Sequence, residues 1–338
     1  MTPKPKITKK PKKNIHVGII GLGAYLPSKV MTNLDLEKLV DTSDEWIRTR
    51  TGISERRIAC KEETTSDLAV NAARMALKDA KLEPADIDLI ILATITPDML
   101  FPATSCFVQA KLGAVNAACF DINAACSGFI HELTIAQQFI ESGMYKNILV
   151  IGAELLSRFV DWKDRSTCVL FGDGAGAAVI APVKKGGLLS SYIGADGTKS
   201  RLLMFPAGGS VTPASHETVT QGLHFLKMEG NEVFKNAVRV MTNASAQALS
   251  RAGLTTEDID CVIPHQANIR IIEAVIARVG IPLEKVFVNV EKYGNMSAAS
   301  AIVALFEAVK EGRVKKGDKV LMVAFGSGFV WGSCVIEW

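Results

Sequence analysis

Apolar residues fall along this chain in two periods. Over residues 128–140 (GFIHELTIAQQFI) they recur at the spacing of a long, mostly buried helix. Residues 89–93, 148–151, 261–263 and 320–323 are short, nearly continuous apolar runs and read as buried strands. Residues 119–122 (CFDI) read as the end of another strand, placed immediately ahead of the 128–140 helix.

The pattern repeats. Sliding the chain by 172 residues lays 71–91 (NAARMALKDAKLEPADIDLII) over 243–263 (NASAQALSRAGLTTEDIDCVI), with identities at ten of twenty-one positions. Each copy is an amphipathic helix, an Asp-containing turn and a buried strand. At the same offset 148–151 falls on 320–323, and the passage into the 128–140 helix falls roughly on 288–290 running into 294–301. The expected organisation is two fused α/β halves of like topology, 15–180 and 181–338, meeting where equivalent strands end.

Composition narrows the class. The chain has 338 residues, 48% hydrophobic and 22% charged, enough apolar material for a large core. No apolar run approaches the roughly 20 residues of a membrane-spanning helix. The seven cysteines show neither CxxC nor Cys/His ligand spacing, so a disulfide framework and a metal site are not expected, and a reducing cytoplasm fits. The net charge of +3 is uneven: residues 1–13 hold six lysines and no acid, which leaves the remainder near −3. The body is therefore not a general polyanion binder, and neither nucleic acid nor membrane is an expected partner. The Pro-interrupted tail 1–14 reads as a disordered, solvated extension.

Candidate chemistry centres on Cys126 in the run DINAACSGF (121–129). A cysteine where a strand hands over to a helix lies near free N–H groups and the positive end of the helix dipole, which can lower a thiol pKa to roughly 3.5–7.5. Free cysteines are also common core residues, so position alone is not decisive. His265 directly follows the repeated strand, and Asn295 opens the second-half counterpart of the Cys126 helix. Together they supply a nucleophile and two hydrogen-bond donors. These parts fit acyl transfer to Cys126 followed by carbon–carbon bond formation. The Cys126 N–H and one from the loop 326–328, at Ser327, would hold an oxyanion, while neutral His265 and the Asn295 amide would polarise a second thioester as loss of CO₂ generates an enolate. Thr42 and Glu45 have the spacing of a capping box. The run from Gly18 to Gly23 is discounted as a dinucleotide fingerprint because Leu26 holds the place of its third glycine, and 171–178 (FGDGAGAA) lacks the Lys-Ser/Thr of a phosphate loop and is read as tight backbone packing near a site.

The runs DINAACSGF, FGDGAGAAV, MEGNEVFK (228–235), VIPHQANIR, YGNMSAAS and FGSGFVWG (325–332) closely resemble β-ketoacyl-[acyl-carrier-protein] synthase III, the initiating condensing enzyme of type II fatty acid synthesis, from about Ile15 to Trp338. The resemblance implies a thiolase-like, five-layered αβαβα fold of duplicated halves, commonly a homodimer. It implies a Cys126, His265 and Asn295 triad that takes an acyl group from acyl-CoA and condenses it with malonyl-acyl carrier protein in ping-pong order. CoA is then a substrate, and neither cofactor nor metal is called for. The residues matching the CoA site are Trp46 and Arg165 around the adenine, with Thr42, Arg50, Asn231 and Asn268 nearby. Lys235, Arg270 and Arg278 match the carrier-protein patch. Phe101 matches a ring that limits the depth of the partner subunit's acyl pocket and so favours a short primer. Ser327 is a departure, since many relatives carry glycine there.

Other readings fit less well. A biosynthetic thiolase needs a second cysteine in the last glycine loop, and an elongating synthase needs a second histidine where Asn295 stands. A specialised relative making quinolone, polyketide or olefin precursors shares every motif. Outside the family, a papain-like protease lacks the local sequence around Cys126, and a non-catalytic CoA-binding scaffold would not acylate itself.

Overall fold

A computed structural model describes residues 15–338; the tail 1–14 lies outside the described residues. The first sheet contains β1 (His16–Tyr25), β2 (Leu89–Ala93), β3 (Ala118–Ile122), β4 (Ile148–Leu155) and β5 (Asp173–Val183) in the order β1-β5-β4-β2-β3. β2 is parallel to both β3 and β4, while β5 runs antiparallel to β4 and β1. The second sheet contains β6 (Gly187–Ala195), β7 (Cys261–Pro264), β8 (Lys319–Gly326) and β9 (Val330–Glu337) in the order β7-β8-β9-β6. Apart from β3 this repeats the order of the first sheet, with β7 parallel to β8 and the remaining pairs antiparallel. β5 runs through to Val183, so the chain passes between the sheets at 184–186, a few residues beyond the expected boundary at 180.

The helices make the other three layers. α1 (Asp44–Thr51) belongs to the entrance of the site described below. α2 (Thr65–Ala80) covers the outer face of the first sheet, where its Leu68, Ala69, Ala72, Ala73, Ala76 and Leu77 are buried. α3 (Gly128–Glu141) and α6 (Ala298–Lys310) lie between the sheets, in a core shared by residues of both halves. α4 (Gly230–Ala252) and α5 (Ile269–Val279) cover the second sheet. Close approach of the central helices depends on small residues. A Cβ on Gly152 of β4 would lie 2.8 Å from the Ala298 carbonyl carbon, and one on Gly128 would lie 3.3 Å from Ala298 Cβ.

The second half has no counterpart of β3. Residues 288–290, aligned with the strand before Cys126, form no strand; only an isolated parallel bridge joins Val286 to Val262. The reason is local: Gln266 Oε1 accepts from Asn289 N at 2.9 Å and Val290 N at 3.2 Å, while its Nε2 donates to Pro264 and Phe287 carbonyls. One buried side chain takes up the backbone groups that a neighbouring strand would otherwise satisfy. The Thr42–Glu45 capping box does not form either, because Ser43 is the N-cap and accepts from Trp46 N at 3.1 Å.

One central carboxyl is costly. Glu132 of α3 is fully buried; Oε1 accepts from Ile151 N at 3.3 Å and Oε2 has no partner among the described residues. Burial holds its pKa well above the ordinary 4.5. The folded state therefore keeps a proton that the unfolded chain releases, and stability falls as pH rises above about 4.3 toward the folded pKa. Glu132→Gln keeps the acceptor for Ile151 N and removes this titration. Urea midpoints of the variant are expected to gain on wild type steadily from about pH 5 to about pH 8; parallel profiles would show that the carboxyl is not buried neutral.

Candidate active site

Cys126 sits in a single turn of 3₁₀ helix (Ala125–Ser127) between β3 and α3, and Ala125 holds a left-handed φ of 43° that turns the chain sharply there. Across the pseudo-symmetric junction, His265 follows β7 and Asn295 precedes α6. All three line one cavity of about 680 Å³, together with Ser297 and residues 325–328. The volume is of the size that takes a small ligand.

The three groups are buried, and burial sets their protonation. Desolvation pushes the Cys126 thiol up to about 12, against a smaller downward pull from the Ser297 hydroxyl; the negative potential of Glu154 adds to the rise. This corrects the expectation of a lowered thiol pKa. The strand-to-helix position is as read, but removal from water outweighs what one helix end supplies. Desolvation drives His265 down to about 3, so the imidazole is neutral throughout the working pH range. Among the described residues its Nδ1 is buried without a partner, and its backbone N donates to Val323 O at 2.8 Å, which fixes the residue at the end of β7.

Asn295 is oriented by its neighbours. Its N–H donates to Leu170 O at 2.8 Å, and its Oδ1 accepts from Ser297 N at 2.8 Å. With the oxygen end occupied, the Nδ2 end is left to donate to a ligand. Behind it, Gly174 of the 171–178 run gives close packing, since a Cβ there would stand 2.6 Å from Met296 Sδ.

The last glycine loop presses on Cys126. A Cβ on Gly326 would lie 2.6 Å from Cys126 N, so only glycine lets the loop approach so closely. Among the described residues no backbone carbonyl accepts the N–H of Cys126 or of Ser327. Two free donors thus border the cavity beside the thiol. The Ser327 hydroxyl is tied back to Leu203 O, leaving its N–H as the loop's contribution.

At the mouth, Trp46, Arg50, Asn231, Asn268 and Arg270 line the cavity. The Arg165 guanidinium lies 4.9 Å from the Trp46 ring centroid and that of Arg50 5.8 Å. Arg165 thus stacks directly on Trp46, and a purine could enter between them only if they separated. Asn268 caps α5 by accepting from Arg270 N at 2.9 Å and donates to Arg50 O at 3.1 Å, joining two walls of the entrance. Thr42 Oγ1 is buried without a partner among the described residues. Lys235 is exposed but ion-paired to Glu232 at 2.7 Å. Arg278 is exposed in the last turn of α5 and does not line the cavity. Phe101 is 87% exposed beside Leu100 at 86%, and the cavity of its own chain does not include it.

Three features escaped the reading of the sequence. Glu154 at the end of β4 is a fully buried carboxyl bonded to Thr96 Oγ1 at 2.7 Å, Thr94 Oγ1 at 3.2 Å and Ile95 N. It is the one acid in the apolar strand ILVIGAEL, a signal that was available. Ser297, with φ 44°, forms the cavity wall before α6. Arg56 is fully buried and donates to Asn33 Oδ1 at 2.9 Å and Val169 O at 2.9 Å, joining the antiparallel strand pair Lys29–Thr32 and Glu55–Ile58 to the Asn295 side of the site.

No helix among the described residues is long and apolar enough to cross a membrane. No group of three or more His, Cys, Asp or Glu side chains among them could hold a metal ion. The family model described as 3-Oxoacyl-[acyl-carrier-protein (ACP)] synthase III matches residues 120–197, and the model of its C-terminal part matches 249–338. A Beta-ketoacyl-[acyl-carrier-protein] synthase III of Caldanaerobacter subterraneus subsp. tengcongensis is 62% identical over 325 residues, 96% of this chain and 98% of the relative. One of Clostridioides difficile is 58% identical over 96% of this chain and 99% of its own length. The crystal structure of 3-oxoacyl-[acyl-carrier-protein] synthase III from Aquifex aeolicus superposes with a TM-score of 0.88 at 53% identity, covering 95% of this chain and all of that one. The doubled thiolase-like α/β fold, the cysteine, histidine and asparagine brought to one cavity, and these likenesses over nearly the full length agree: the chain belongs to the β-ketoacyl-[acyl-carrier-protein] synthase III family.

Proposed function

We propose that this protein joins a short acyl group from acyl-CoA to the two-carbon unit of malonyl-acyl carrier protein, with loss of CO₂, and so starts fatty acid chains. The observation that carries this reading is the meeting of Cys126, His265 and Asn295 on one buried cavity beside two unpaired backbone N–H groups.

In the first half-reaction the Cys126 sulfur attacks the thioester carbonyl. The Cys126 and Ser327 N–H groups hold the oxyanion, and CoA leaves while the acyl group remains on sulfur. In the second, the malonyl thioester binds with its carbonyl oxygen toward the His265 ring and Asn295 Nδ2. A neutral imidazole and an amide can donate without giving up a full proton, which suits an enolate formed by decarboxylation. The enolate carbon then attacks the acyl-Cys126 carbonyl and releases the sulfur. The reaction as written asks for no cofactor, CoA being a substrate.

At the mouth, Trp46, Arg165, Arg50, Thr42, Asn231 and Asn268 are assigned to CoA, with Trp46 and Arg165 parting to admit the adenine. Arg270, Arg278 and Lys235 are assigned to the acidic carrier protein; Lys235 would have to exchange Glu232 for the partner. A homodimer is supported by the outer edge of β3, which no strand among the described residues covers, and by the exposed Leu100 and Phe101. In such a pair Phe101 would close the other subunit's acyl pocket. A panel of acyl-CoA primers with malonyl-acyl carrier protein, read by product mass, tests the whole reading. Acetyl-CoA or a small branched acyl-CoA is expected to acylate Cys126 faster than decanoyl-CoA. Faster decanoyl transfer would remove the role of Phe101, and no condensation product with any primer would remove the function.

A further inference from the structure

We propose that Arg56 is a positioning residue for the decarboxylation half-reaction: its guanidinium holds the segment 169–172, and that segment fixes Asn295 where its amide meets the malonyl thioester carbonyl. This rests on the condensation reading above. Val169, Leu170, Phe171 and Asn295 line the cavity, whereas Arg56 is fully buried behind that wall and does not. The segment leads into β5 of the first half and Asn295 precedes α6 of the second, so the hold crosses between the halves.

Backbone makes the contact on both sides of Asn295. Leu170 O accepts from Asn295 N at 2.8 Å and Asn295 O accepts from Gly172 N at 3.1 Å, a single parallel bridge centred on Phe171. Both peptide groups flanking the Asn295 α-carbon are therefore tied to 170–172. Only the side-chain torsions are left, and Ser297 N restrains them by donating to Oδ1. The two strips touch because glycine stands on each: a Cβ on Gly172 would collide with Tyr293 O, and one on Gly294, whose φ is 63°, would lie 2.7 Å from Leu170 O. The amide therefore goes where the segment goes.

Arg56 ties the segment to the first half. Its Nη2 donates to Val169 O at 2.9 Å, while Nη1 donates to Asn33 Oδ1 at 2.9 Å and Met31 O at 3.2 Å. The anchor is itself braced: buried Asn33 donates through Nδ2 to Asp44 Oδ1 and Ile53 O, each at 2.8 Å. The stem of Arg56 packs under the same bridge, since a Cβ on Gly172 would lie 3.1 Å from Arg56 Cβ and one on Gly294 3.5 Å. None of the five ion pairs among the described residues involves Arg56, and its Nε is buried with no partner among them. Desolvation lowers its pKa only to about 10, so it remains a cation at neutral pH. A buried cation without a carboxylate costs stability, and an apolar side chain of similar volume would pack there at less cost. What the guanidinium supplies is a planar fork that reaches fixed acceptors in two directions at once.

The test takes enzyme already acetylated on Cys126 and follows loss of CO₂ from malonyl-acyl carrier protein. Acetylation of fresh enzyme by saturating acetyl-CoA is read beside it by intact mass. Arg56→Met keeps the stem and removes the fork; it is expected to lower the decarboxylation kcat about thirtyfold, with KM for the malonyl-carrier protein within about twofold and acetylation within about threefold of wild type. Arg56→Lys keeps the charge and one donor, and should lose only about fivefold. In an Asn295→Asp background Arg56→Met should slow decarboxylation no more than about twofold further, because the amide it places is already gone. Acetylation also checks that each variant folds; where Arg56→Met fails it, Arg56→Lys decides. Equal slowing of both half-reactions in Arg56→Lys, or an undiminished loss on top of Asn295→Asp, would make Arg56 a support of the fold alone and overturn the proposal. Decarboxylation at the wild-type rate in Arg56→Met would overturn it too. Wild type that acetylates but never decarboxylates would instead sink the condensation reading itself.

Discussion

Cys126→Ser is expected to abolish the acyl-enzyme adduct and to lower condensation by at least about a thousandfold. A serine fits the space of the thiol, so the cavity and CoA affinity should survive. What is lost is nucleophilicity. Burial already holds the sulfur proton up to about 12, and a hydroxyl in the same dry site is harder still to ionise. Intact mass after incubation with acetyl-CoA gives the answer directly. An adduct of acetyl mass on the serine variant at a rate within tenfold of wild type would show that the nucleophile lies elsewhere. A non-catalytic CoA-binding protein would show no adduct with either chain.

His265→Ala and Asn295→Asp should separate the two half-reactions. Each is expected to acetylate Cys126 and then to decarboxylate malonyl-carrier protein about a hundredfold to a thousandfold more slowly, the cost of one lost donor to a developing oxyanion. Alanine removes the imidazole N–H. Aspartate still accepts from Ser297 N, but it turns a second carboxylate oxygen toward the substrate carbonyl where an NH₂ group had been. Because burial drives His265 to about 3, its ring stays neutral from about pH 5 to about pH 9, and it should add no inflection to the wild-type decarboxylation profile in that window. Decarboxylation at the wild-type rate in either variant would remove that residue from the mechanism. An inflection abolished by His265→Ala would mean that the imidazole titrates and acts as an acid or base.

Much of this protein was legible before any coordinates. The period of the apolar positions placed the central helix at 128–140, the buried strands and the doubling, because helix and strand faces against a core impose their spacing on the sequence. The doubling in turn placed His265 at a strand end independently of its chemistry, and the motifs named the family. Local order did not reveal what depends on partners far along the chain. Gln266 occupies the backbone groups of 289 and 290, so an expected strand is missing, and Ser43 rather than Thr42 caps α1. The protonation of the site also lay beyond the sequence. A helix-start cysteine reads as an easily ionised thiol, but when two sheets and two central helices close over it the cost of desolvating the charge exceeds the pull of one helix end. The same enclosure makes His265 neutral and brings Ser297, 171 residues from Cys126, into the wall of the same cavity. Sequence determines which groups are present and on which element each one rides; only the packed halves decide how much water they keep, and the water sets their charge.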